Sequence, residues 1–252
     1  MTGEQSASQF ATPMNGTPVH LAQATSEDTS NKPAVICVFC GASPGTSETH
    51  LAAARALATL MARENMKLVY GGGTVGLMGE VAKTLVSLSG PDAVHGIIPE
   101  ALIKYEQNWD PELHGGRVGS VIDEKVFGKT TVVKDMHTRK HLMAKEVVAG
   151  GPGSGFVALS GGYGTLEELM EVTTWNQLGI HDRGVVVFNV DGYWDGLIQW
   201  VRNAVISGFI STTNSGILVE ALDSEEVIMC LKGYKNSEGR FNLTWDTEGA
   251  QD

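Results

Sequence analysis

The sequence predicts a single α/β domain in which a parallel sheet is doubly wound with helices on both faces. Three observations carry that prediction. Short, continuous apolar runs alternate with longer segments of helical period over 33–235, the pattern of parallel strands buried on both faces. Hydrophobic residues make up 42% of the 252-residue chain, enough for one large core. Two glycine-rich turns, Gly71-Gly72-Gly73 and Gly161-Gly162-Tyr163-Gly164, directly follow apolar runs, where open α/β sheets bind their ligands.

Residues 1–32 are rich in Ser, Thr, Gln, Ala and Pro without hydrophobic period and read as a mobile tail. The first strand is expected over 35–40, ending at Gly41, and an Ala/Leu-rich helix over 48–64. A strand at 67–70 runs into Gly71, a helix follows over 76–88, and a strand over 94–98 is closed by Pro99. The stretch 100–134 breaks the alternation: Trp109, Pro111, Gly115 and Gly116 imply a long loop with a short strand near 118–122. Asp135 suits the N-cap of a helix over 136–149, after which 150–155 interrupts the chain with glycine.

A strand is then expected over 156–159, a helix from Thr165 to Leu178, and a strand over 185–190. A helix over 194–207, a strand over 217–219 and a helix over 224–231 complete a Rossmann-like series. Residues 236–252 are polar and expected to be loosely held, with Phe241 and Trp245 available as anchors.

Asp and Glu number 29 against 18 Lys and Arg, a formal charge of -11. Such a surface repels nucleic acid and anionic membranes; a small phosphorylated ligand held by local donors is compatible with it. The first 31 residues contain neither Lys nor Arg and no continuous apolar run, which fits neither a secretory signal nor a mitochondrial presequence. No segment is long and apolar enough to span a membrane. Three cysteines do not suggest a disulfide framework, so the expected compartment is the cytoplasm. Cys37 and Cys40 form a C-x-x-C within a strand, where residues three apart face opposite sides and cannot readily pair.

The first turn, Gly71-Gly72-Gly73-Thr74-Val75-Gly76, matches G-x-G-x-x-G. Dinucleotide binding requires an acidic residue roughly 20 positions on, at the end of the next strand. Asp92 precedes that strand and Glu100 follows it too late, so the turn reads as a close helix–sheet approach, with Gly72 and Gly73 within reach of substrate. The second turn offers several backbone N–H groups and a helix dipole to one anion. No Gly-Lys-Ser/Thr follows, which argues against ATP hydrolysis. Thr165-Leu166-Glu167-Glu168 also spells a capping box, and on spacing alone that is the more ordinary reading of Glu168. Glu167 and Glu168 lie about 100° apart on a helix, and Glu171 is one turn further on.

Upstream lies Asp135-Met136-His137-Thr138-Arg139-Lys140-His141. His137 and His141 have metal-ligand spacing, but Arg139 and Lys140 would repel a cation, so no metal is expected. Arg139 and Lys140 suit a phosphate or an ordinary charged helix face.

Asp135-Met136-His137-Thr138-Arg139-Lys140 followed by Gly161-Gly162-Tyr163-Gly164-Thr165-Leu166-Glu167-Glu168 resembles the LOG family, the cytokinin riboside 5′-monophosphate phosphoribohydrolases. Phe39-Cys40-Gly41, the first glycine turn with Val75-Gly76-Leu77-Met78-Gly79, the stretch Thr174-Trp175-Asn176-Gln177-Leu178-Gly179-Ile180-His181 and Asn189-Val190-Asp191-Gly192-Tyr193 resemble further blocks, and the likeness covers about 33–232. It implies hydrolysis of the N-glycosidic bond of cytokinin (N6-substituted adenosine) 5′-monophosphates to free base and ribose 5-phosphate. Arg139 and Glu168 take the catalytic positions; Gly161, Gly162, Tyr163, Gly164 and Thr165 the phosphate cradle; Lys140, Glu167 and Thr174 further substrate contacts. The family implies no metal or organic cofactor and at least a homodimer.

Related proteins have been labelled lysine decarboxylases, but nothing here supplies an evident Schiff-base lysine with a pyridinium partner. Departures from the family pattern are Ser160 in place of proline, the glycine-rich insertion 150–155 and the long 100–134 segment, which bear on base specificity more than on the reaction. The competing readings are a general purine or AMP nucleosidase and a non-catalytic nucleotide or cofactor carrier of the same fold.

Overall fold

The computed structural model describes residues 30–106, 122–241 and 243. Most of the expected N-terminal tail, the strand expected near 118–122 except for Ile122, and Trp245 lie outside the described residues. Among the described residues seven parallel strands form one sheet: β1 (Val35–Phe39), β2 (Lys67–Tyr70), β3 (Val94–Pro99), β4 (Lys129–Val133), β5 (Gly155–Ala158), β6 (Gly184–Phe188) and β7 (Leu218–Ala221). Their order is β4-β3-β2-β1-β5-β6-β7. The chain winds outward from β1 to β4 and then returns to β5 on the other side of β1. The winding therefore reverses between β1 and β5, and a crevice opens beyond their carboxyl ends.

The helices are α1 (Glu48–Arg63), α2 (Gly76–Ser89), the single turn α3 (Glu124–Phe127), α4 (Met136–Ala149), α5 (Tyr163–Gln177), α6 (Asp195–Ile206) and α7 (Ser224–Gly233). Strand β1 shows why the sheet needs cover on both sides. Ile36, Val38 and Cys40 enter the core beneath α1, α2 and α7, while Cys37 and Phe39 enter the opposite core beneath α4 and α5. The two cysteines thus sit on opposite faces, both buried and free. Expected and observed element ends otherwise agree within about two residues.

One strand was not anticipated. β4 pairs with β3 at the sheet edge, from His95 opposite Lys129 to Pro99 opposite Val133. Its Lys129 is exposed and Thr130 and Thr131 are only half-buried, so it lacks the apolar run that marks interior strands. The polar C-terminal stretch is not wholly loose either. The Phe241 amide donates to the Gln177 carbonyl at 2.8 Å, and Arg240 Nη2 donates to the His181 carbonyl at 2.9 Å. Backbone and guanidinium anchor this stretch, while the Phe241 ring stays half exposed.

Candidate active site

Both glycine turns converge at the reversal of the sheet. The Gly41 amide donates to the Ser160 carbonyl at 2.9 Å, and the Gly41 carbonyl accepts from the Leu77 and Met78 amides at 3.0 and 3.3 Å. The exit of β1 is thereby stitched to the exit of β5 and to the start of α2. Beside this junction lies a cavity of about 280 Å³. Arg139, Glu167 and Glu168 line it together with Gly162, Gly164 and Thr165, and Cys40, Met78 and Met136 complete its wall. A larger cleft of about 550 Å³ between α6 and the β6–β7 edge is lined mainly by aliphatic side chains; it holds no buried charged pair.

Asp135 caps α4 as expected, accepting from the Thr138 amide at 2.8 Å. That start places Arg139 inward and Lys140 about 100° around the helix. Arg139 and Glu168 are only 8% and 6% exposed, and Arg139 Nη2 lies 3.1 Å from Glu168 Oε1. Glu168 Oε1 nevertheless accepts no hydrogen bond, and Arg139 Nε donates none. Buried polar atoms in this state are uncommon and call for a partner; here both belong to residues that line the cavity.

Lys140 belongs to a different pair. Its Nζ donates to Glu167 Oε1 at 2.5 Å and to Glu171 Oε1 at 3.1 Å. Burial works to lower the pKa of Lys140, but those two carboxylates outweigh it and raise it. The ammonium expected to meet a phosphate is thus engaged by two glutamates.

Burial pushes the Glu168 carboxyl above its ordinary range against the opposing pull of Arg139, and Glu167 and Glu171 add to the rise. Burial and Glu168 likewise raise the Cys40 thiol well above the usual thiol range, so Cys40 contributes wall and no nucleophile.

The capping-box reading of Glu168 is overturned. Helix α5 begins at Tyr163 with Gly162 as its N-cap, and no side chain caps it. Thr165 is already inside the first turn and Glu168 lies beyond it, turned toward Arg139. Gly161 is required where it stands: a Cβ there would lie 2.1 Å from Thr165 Oγ1 and 2.9 Å from the Gly41 nitrogen. Tyr163, 95% exposed, stands on the surface at the start of α5. Thr174 does not join this cluster. It is exposed roughly 16 Å further along the helix, its hydroxyl donating to the Met170 carbonyl.

The first turn acts mostly from behind. A Cβ on Gly72, at φ +75°, would lie 2.9 Å from the Ile98 Cβ and 3.3 Å from the Ile97 backbone, and one on Gly73 would meet the Met78 side chain. Gly71, which sequence reasoning did not single out, makes room for the arginine: a Cβ there would fall 2.0 Å from Arg139 Nη2. Glu106 was also missed. Its Oε2 accepts from the Thr74 amide at 2.5 Å and from the Thr74 hydroxyl at 2.7 Å, closing the turn. It sits in the stretch whose sequence lacks any regular period.

A family model described as "Possible lysine decarboxylase" matches residues 78–231. A bifunctional cytokinin biosynthesis protein of Fusarium pseudograminearum (strain CS3096) is 53% identical over 214 residues, which is 85% of this chain and 43% of that protein. The chain thus spans less than half of that relative's length. The cytokinin riboside 5′-monophosphate phosphoribohydrolase LOG3 of Arabidopsis thaliana is 43% identical over 215 residues, 84% of this chain and 89% of that one. Among solved structures, the Moco carrier protein of Chlamydomonas reinhardtii shares the fold, with a TM-score of 0.53 at 19% identity over 80% of this chain and 96% of that one. The molybdenum cofactor binding protein of Rippkaea orientalis matches similarly, with a TM-score of 0.53 at 20% identity over 81% and 98%. Identity near or above 40% across nearly the whole length of the plant proteins decides the matter: the chain belongs to the LOG family of cytokinin riboside 5′-monophosphate phosphoribohydrolases.

Proposed function

We propose that this protein hydrolyses the N-glycosidic bond of cytokinin riboside 5′-monophosphates, releasing the free base and ribose 5-phosphate. The observation that carries this reading is the buried, hydrogen-bond-deficient Arg139–Glu168 pair beside an open helix N-terminus. The uncapped amides at Gly162–Thr165 and the α5 dipole receive the 5′-phosphate. Glu168 follows Thr165 by about one turn, roughly 5 Å along the axis, so the carboxylate stands about a ribose's length from the phosphate, at the anomeric carbon.

Cleavage breaks the bond between C1′ and the base nitrogen and leaves an oxocarbenium-like ribosyl group. The bonding pair departs with the base. A water oxygen then bonds to C1′, and its proton neutralises the base. Glu168, as carboxylate, stabilises the ribosyl cation or orients the water, in a site dry enough to make one charge count. Arg139 opposes the effect of burial on Glu168. No step requires a metal or an organic cofactor.

We further propose a homodimer or larger assembly. Thr174 lies away from the cavity of its own chain, so a substrate contact by Thr174 fits the cavity of a second copy. Among the described residues no helix is long and apolar enough to cross a membrane, and free cysteines support placement in the cytoplasm. Incubation with N6-isopentenyladenosine 5′-monophosphate, followed by chromatography, should yield base and ribose 5-phosphate in equal amounts. Tight nucleotide binding without release of base would make the protein a carrier instead.

A further inference from the structure

Three elements grip the segment Ser160–Gly161, which leads into the cradle. The Gly41 amide holds the Ser160 carbonyl. The buried Ser160 hydroxyl is hydrogen-bonded to His50 Nδ1 at 3.0 Å. The Tyr193 hydroxyl donates to the Gly161 carbonyl, and its ring stands edge-on to His50 with centroids 5.8 Å apart. Thr49 Oγ1, beside His50 on α1, donates to Asp191 Oδ2 at 2.7 Å and so ties α1 to the turn that presents Tyr193. Neither His50 nor Tyr193 lines the cavity.

A trans peptide is planar, and its C=O and N–H point in opposite directions. No peptide among the described residues is cis. Fixing the Gly161 carbonyl toward Tyr193 therefore turns the Gly162 N–H away from Tyr193, which does not line the cavity, and Gly162 itself does line it. Flanking glycines leave this peptide intrinsically free to flip, and Ser160 stands where the family motif has a proline that would stiffen the approach. We propose that Tyr193 is a positioning residue, backed by the His50–Ser160 bond, that keeps the Gly162 amide aimed at the 5′-phosphate. The proposal rests on the reading of Gly161–Thr165 as the phosphate cradle.

The test separates phosphate binding from chemistry. Dissociation constants for ribose 5-phosphate and inorganic phosphate are measured by calorimetry for the wild type, Tyr193→Phe and His50→Ala, alongside kcat and KM on the nucleotide. Tyr193→Phe should weaken both ligands and raise KM about 10-fold, with kcat within about 2-fold and the melting temperature nearly unchanged. His50→Ala should move the same constants in the same direction by less, and it decides the matter should Tyr193→Phe not fold. Unaltered binding constants in both variants, or a fall in kcat at constant KM, overturns the proposal. A wild type that binds ribose 5-phosphate but releases no base would defeat the proposed activity and leave the positioning role to be judged by the binding constants. A wild type that binds neither ligand defeats both.

Discussion

Gly71 and Arg139 occupy one space: the position of a Cβ on Gly71 is 2.0 Å from Arg139 Nη2. Gly71→Ala should therefore push the guanidinium away from Glu168. A displacement of about 1 Å in a catalytic group can cost about 100-fold in rate, and kcat/KM should fall by about that much. Thermal unfolding should change little, because Arg139 is displaced rather than left in a collapsed core. Normal turnover in Gly71→Ala would mean that Arg139 has no fixed catalytic position.

Glu168→Gln should lower kcat by at least about 100-fold and should not destabilise the fold at neutral pH. The sign follows from burial, which raises the folded-state pKa above the ordinary value of 4.5. The protonated carboxyl is the form the fold prefers. Its stabilisation is complete below pH 4.5 and is lost as pH rises through the folded pKa. Melting curves across pH should show the wild type and Glu168→Gln together in acid and the wild type falling behind as pH rises. A lower melting temperature for Glu168→Gln at neutral pH, with activity intact, would return Glu168 to a structural role.

Lys140 contributes a positive charge that lowers the Glu168 pKa, while Glu167 and Glu171 raise it. Lys140→Gln removes the counter-charge and leaves both glutamates in place. The acid limb of the profile of kcat/KM against pH should move to higher pH. A shift to lower pH would contradict the electrostatic layout.

His181 is buried, with Nε2 facing the Val172 carbonyl at 2.8 Å and Nδ1 accepting from the Arg183 amide. Burial lowers its pKa to about 4 from an ordinary 6.5. A depressed histidine pKa contributes stability that is complete above the unfolded value and is lost as pH falls from 6.5 toward 4, roughly 3 kcal/mol at the full extent. The imidazole resonances of His181 in an NMR titration should stay those of the neutral ring at pH 5.5. An inflection near 6.5 would show that the ring is solvated.

The legible parts of the fold were those with both faces buried. β1 and β6 are continuous apolar runs because helices cover both sides, whereas β4 escaped because its exposed Lys129 and half-buried Thr130 and Thr131 follow no single burial pattern. In the site, Arg139 and Glu168 stood out because local motifs carry them. Gly71, Glu106, His50 and Tyr193 did not, since their roles come from contacts across the chain: Glu106 reaches Thr74 over 32 residues, and His50 reaches Ser160 over 110. The capping box shows the converse. Its spacing is real, but the N-cap falls at Gly162, three residues too early for Thr165 to fill it.

The most direct test of the Arg139–Glu168 site and its phosphate cradle compares kcat/KM on N6-isopentenyladenosine 5′-monophosphate with that on the unphosphorylated riboside. Charge-assisted hydrogen bonds contribute about 1.5–3 kcal/mol each, so loss of the phosphate should cost at least about 100-fold. Equal rates on the two compounds, or no release of base from either, would contradict the account.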